Sequence, residues 1–115
     1  MKPLLRTTAR HIIALFFIVF GVFNYGVAAN RYAVATGNWN ATSTWSSSSG
    51  GSSGASVPVA GDVVYIERGY TVTVTADAAC SSVTIGTNTS GATSTLYINS
   101  NITLTVSGNV VVGYN

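Results

Sequence analysis

Beyond Gly61 the apolar residues of this chain come in short runs, and no window there repeats at a helical interval. The runs are Val63–Ile66, Thr71–Thr75, Val83–Ile85, Thr95–Ile98, Thr103–Val106 and Asn109–Val112. Gly, Asn, Ser, Asp or Ala separates them. In "TVTVT" the alternation is clean: Val72 and Val74 face one way, and Thr71, Thr73 and Thr75 the other. A half-buried strand has that period of two. The fold class read from this pattern is all-β.

The runs also pair at a longer period. Val63–Ile66, Val83–Ile85 and Leu104–Val106 begin about 20 residues apart, the spacing of a repeating coil. Thr71–Thr75, Thr95–Ile98 and Asn109–Val112 follow them in turn, the second after the insert "TNTSGATS". Two strands per turn at that period predict a β-solenoid of about three short coils. A single coil cannot bury its own apolar side chains. Stacking would make one interior of Val64, Ile66, Val72, Val74, Val83, Ile85, Leu96, Ile98, Leu104, Val106, Val110 and Val112. The competing fold is a small antiparallel sandwich, whose strands come at more even spacing.

The N-terminus constrains location. Lys2, Arg6 and Arg10 precede an apolar block, Ile12 to Phe23, and the segment ends "GVAAN". Positive, apolar, then small is the order of a secretory signal. Val27 and Ala29 occupy the −3 and −1 positions, so cleavage is expected between Ala29 and Asn30. The unbroken block is about a dozen residues, short of the roughly 20 that a membrane span needs, though counting on through Ala29 nears that length and makes an uncleaved anchor the alternative. Residues 1–29 are therefore read as an export helix, and as the chain's contact with a membrane before cleavage.

Removing that segment changes the composition. The mature part keeps Arg31 and Arg68 against Asp62, Glu67 and Asp77, and is close to neutral. It has no basic patch, which argues against a nucleic-acid partner. Its roughly 86 residues allow one small domain with a thin core. Small secreted domains often add disulfides, but Cys80 is the sole cysteine. Stability has to come from stacking.

Residues 30–61 read as an N-terminal cap and a Ser/Gly-rich loop, with "SSSSGGSSGAS" as its flexible part. Residues 62–115 read as the coils, expected to be truncated. The shared features are the pair Trp39 and Trp45, the turn Pro58–x–x–Gly61–Asp62, and the double strand "V-x-I-x-x-G-x-x-V-x-V" from Val64 to Val74. They are followed by "SSVTIG" and a "LT-V-x-G-x-V-x-V" coil. Over residues 36 to 113 this resembles the start of right-handed parallel β-helices in secreted surface proteins of Gram-negative bacteria. Many of those end in a sorting domain for type IX secretion. It is also similar to the eight-glycine domain of animal cell-surface proteins. The resemblance implies a fold and a location, and leaves activity open.

Catalysis needs paired carboxylates, a nucleophile with its base, or a metal cluster. The mature part has no His and no Lys. Asp62 and Asp77 read as turn carboxylates; calcium on either would be held by isolated acids. Glu67 and Arg68 read as a surface pair at the Gly69 corner. Cys80 reads as a small buried apolar residue. Tyr32, Trp39 and Trp45 are either a sugar-stacking platform or an end cap for the first coil, the cap being favoured. The Thr-rich outer face reads as ordinary exposed strand. Asn40, Asn88 and Asn101 begin glycosylation sequons.

The expectation is a secreted, non-catalytic surface module with no cofactor and no metal. Its partners would be extracellular glycans or other surface proteins, and its open coil edge would favour self-association. The alternative is the first part of a polysaccharide lyase or hydrolase whose active-site coils lie beyond residue 115.

Overall fold

The computed structural model describes residues 27–87 and 91–113. The export block Ile12–Phe23 and the Asn88 sequon lie outside the described residues. Within them there are ten strands, one 3-10 turn at Thr42–Thr44 and no α-helix, so the chain is all-β. The strands are β1 (Asn30–Ala33), β2 (Gly37–Asn38), β3 (Trp45–Ser46), β4 (Val63–Glu67) and β5 (Thr71–Val74). They continue with β6 (Ala78–Cys80), β7 (Ser82–Thr87), β8 (Thr95–Ile98), β9 (Leu104–Val106) and β10 (Val110–Val112).

Three sheets form, with orders β10-β7-β4-β1-β3, β2-β5-β8 and β6-β9. Every pairing is parallel except β1 with β3. Passing from β4 through β5 to β6, the chain visits all three sheets once. It then returns as β7, β8 and β9 beside its own earlier strands. Val64 lies against Val83, and Val83 against Val110. Val72 lies against Leu96, and Ala78 against Leu104.

This corrects the phasing read from the sequence. The two complete passages, β4–β6 and β7–β9, have three strands each, not two. Leu104–Val106 pairs with Ala78–Cys80, and the strand beside Val83–Ile85 is Val110–Val112. The third strand of the first passage is Ala-Ala-Cys, which has little intrinsic strand preference.

The corner between β4 and β5 is the tight turn Glu67–Tyr70. Arg68 and Gly69 have φ of 59° and 81°, and the Tyr70 N–H donates to the Glu67 carbonyl at 3.2 Å. Positive φ at both central positions is the mark of a hairpin turn. Yet β4 and β5 do not pair with each other; the turn carries the chain from one sheet to the next.

The core is Ala33, Trp39, Trp45, Val64, Ile66, Val72, Val74, Cys80 and Val83, all at most 2% exposed. Full burial of each aliphatic side chain contributes about 1.5–3 kcal/mol. Ile85, Leu96, Leu104 and Val106 are half-buried against this cluster. Ile98, Val110 and Val112, expected inside, are exposed, at 42%, 57% and 76%. They lie on the outermost strands of their sheets, where no described strand covers them.

The Ser/Gly-rich loop is tied down rather than free. Ser46 is buried, Ser49 Oγ donates to Glu67 Oε1 at 2.5 Å, and the Ala55 N–H reaches the Trp45 carbonyl. Arg31 holds its far end, with Nε 2.6 Å from the Ser56 carbonyl and a second nitrogen 2.5 Å from Ser56 Oγ. Small side chains allow this close packing: a Cβ at Gly51 would come within 2.2 Å of Ser48 Oγ.

Candidate functional site

The two tryptophans are built into one end of the stack. After β2 the 3-10 turn reverses the chain, and β3 runs antiparallel beside β1 with Ala33 opposite Trp45. An exposed sheet edge invites pairing with another chain; β3 covers this one. Trp39 and Trp45 meet edge to face, with ring centroids 5.3 Å apart. The Trp45 indole N–H donates to the Trp39 carbonyl at 2.6 Å, and the Trp39 indole N–H to the Pro58 carbonyl at 3.4 Å.

The geometry separates the two roles read for this trio. Trp39 and Trp45 are 2% and 0% exposed and both indole donors are used internally, so neither ring presents a face to a sugar. Tyr32 is not brought together with them. It is half-buried and stacks on Tyr65, at 4.7 Å between centroids and 9° between planes. The stack follows from register, because Tyr32 and Tyr65 are direct partners of β1 and β4.

Trp39 lines a cleft of about 280 Å³. Val57, Pro58, Val59, Thr75, Asp77 and Ala79 line it as well. Ala78 and Cys80 turn their main-chain groups toward β9, as the bonds from Ala78 N–H to Thr103 carbonyl and from Ser107 N–H to Cys80 carbonyl require. The parallel alternation then directs the Ala79 N–H and carbonyl away from β9. The cleft is a mostly apolar pocket with one carboxylate on its rim, sized for a single side chain or sugar ring. Sequence reasoning missed it, because its lining comes from a turn and a strand about 20 residues apart that meet only in the folded chain.

The three carboxylates hold the fold. Asp62 is 3% exposed; its Oδ1 accepts the Ala29 N–H at 2.9 Å and its Oδ2 the Val59 N–H at 3.0 Å. Asp77 Oδ1 accepts the Thr103 N–H at 2.9 Å, linking two passages of the chain. Glu67 corrects an expectation: it is fully buried rather than on the surface, with Arg68 Nε at 3.6 Å and Ser49 at its other side. Among the described residues no three metal-ligating side chains cluster. The Cys80 thiol is buried, and its pKa is pushed above the ordinary 9.0, first by burial and then by the nearby Asp62 charge. It is held as the neutral thiol, a poor nucleophile.

No protein-family model matches this chain, and no curated protein or solved structure matches it.

Proposed function

We propose that this chain is the capped start of a parallel β-solenoid, exported to the cell surface, and that it acts as a structural and adhesive module. It would contact extracellular glycans or neighbouring surface proteins and catalyse nothing itself. The observation carrying this reading is the in-register parallel stacking of β1, β4, β7 and β10, with β3 folded back over the outer edge. A chain that returns to the same sheet in parallel does so by right-handed crossovers in nearly all proteins, so the coil is taken as right-handed.

Further support comes from the polar groups. Asp62, Asp77 and Glu67 are each engaged in bonds that join separate segments, and a carboxylate so engaged is a poor acid or base for a substrate. The glycan-contact role read for Tyr32, Trp39 and Trp45 narrows accordingly. The tryptophans act as the end cap. Sugar contact falls to the cleft beside Trp39 and to the outer Tyr32–Tyr65 stack.

The test is a glycan array together with a cell-adhesion assay, using the complete gene product. Binding on either, weakened by Tyr65→Ala or by a bulky residue at Ala79, supports the reading. Blank results on both overturn it.

A further inference from the structure

Asp62 is a buried carboxylate, 3% exposed, and among the described residues no cation pairs with it. Arg68 is committed to Glu67, and Arg31 to Ser56 and the Asn30 carbonyl. A carboxylate taken out of water needs a countercharge or strong hydrogen bonds. One of its two donors is the main-chain nitrogen of Ala29, 2.9 Å from Oδ1. Ala29 is doubly held, since its carbonyl accepts the Val63 N–H at 2.9 Å. Val27 and Ala28, immediately before it, are exposed.

We infer that signal cleavage falls between Ala28 and Ala29, and that the new α-ammonium of Ala29 is the cation Asp62 receives. This rests on the export reading above and moves its cleavage point by one residue. Gly26 and Ala28 satisfy the small-residue rule at −3 and −1 as well as Val27 and Ala29 do. The structure separates the two sites. Cleavage after Ala29 would leave Asp62 Oδ1 and the Val63 N–H without the partners they have. Cleavage after Ala28 keeps both bonds and turns a neutral N–H donor into a charged one, which binds a carboxylate more strongly. The scissile peptide bond is hydrolysed by water: Ala28 leaves as a carboxylate with the water oxygen, and the Ala29 nitrogen takes up both water protons to become the ammonium.

The experiment is intact-mass analysis of the full chain secreted by a Gram-negative host. A product beginning at Ala29 is expected. A product beginning at Asn30 overturns this inference and leaves the export reading standing. A chain that retains Met1 and its apolar block overturns both. A second readout tests the ion pair itself. Lys2 is the sole lysine of these 115 residues, so within them the α-amine is the only primary amine after cleavage. An ammonium held by Asp62 has a pKa above the ordinary 7.7–8.0, and one unit makes acylation at pH 7 about tenfold slower. Native protein should label about that much more slowly than the same protein in urea, and Asp62→Asn should remove most of the difference. Equal native and denatured rates overturn the pairing, whether or not Asp62→Asn folds.

Discussion

Trp45 and Trp39 are joined twice: their rings meet edge to face at 5.3 Å, and the Trp45 indole N–H donates to the Trp39 carbonyl at 2.6 Å. The pair closes one end of the stacked strands. Replacing Trp45 with Ala removes the largest fully buried side chain and leaves a buried carbonyl short of its donor. The expected loss is about 3–5 kcal/mol, read as a lower urea midpoint. Trp45→Phe restores much of the apolar area but not the N–H, and should lose clearly less. Equal losses would mean the cap is held by something other than packing.

Gly86 marks how closely successive strands approach. Its φ is +98°, and a Cβ there would lie 2.7 Å from the carbonyl oxygen of Gly113. The obstacle is backbone, so it cannot swing aside. Gly86→Ala should destabilise the chain by at least about 1 kcal/mol, measured by chemical denaturation. A neutral result would place β7 and the residues after β10 farther apart than described.

The Cys80 thiol has its pKa raised by burial and by Asp62. The folded state therefore favours the neutral thiol more than the unfolded state does. This contribution is fully present below the ordinary thiol pKa and is lost as pH rises through the folded one. Stability should decline at alkaline pH, and Cys80→Ala should flatten that decline. At pH 8 a thiol reagent should react slowly with native protein and quickly in urea. Fast native labelling would contradict the burial.

Val110, Val111 and Val112 form an exposed strand at the edge of the largest sheet, at 57%, 48% and 76%. Such an edge favours pairing between copies, and a charge on it opposes pairing. In sedimentation experiments on the 115-residue chain freed of its signal, self-association is expected. Val111→Lys should weaken it while leaving the melting temperature nearly unchanged. A wild-type chain that stays monomeric at high concentration would contradict this.

Some of the fold was legible because it obeys a short period. Val72 and Val74 alternate with threonines, and both are fully buried as that alternation requires. The third strand of the β4–β6 passage was not legible. Ala78–Cys80 lacks branched or aromatic residues, and missing it shifted Leu104–Val106 onto the wrong partner. Gly37–Asn38 and Trp45–Ser46 are two residues long, too short to show any alternation. Burial of Glu67 depends on Ser49, which sits in a segment whose composition signals only flexibility. Burial of Trp39 and Trp45 was foreseeable from their size and their place near the first strands. The cleft was not, because its walls meet only in three dimensions.

Parallel stacking has one rival, set by the turn Glu67–Tyr70. Its positive φ values would suit an antiparallel hairpin of Val63–Glu67 with Thr71–Val74. Cross-strand nuclear Overhauser effects decide between them. Parallel stacking predicts contacts linking Val64 to Val83, Val83 to Val110 and Val72 to Leu96. Contacts pairing Ile66 with Thr71 and Tyr65 with Val72 across the turn, without those three, would contradict it.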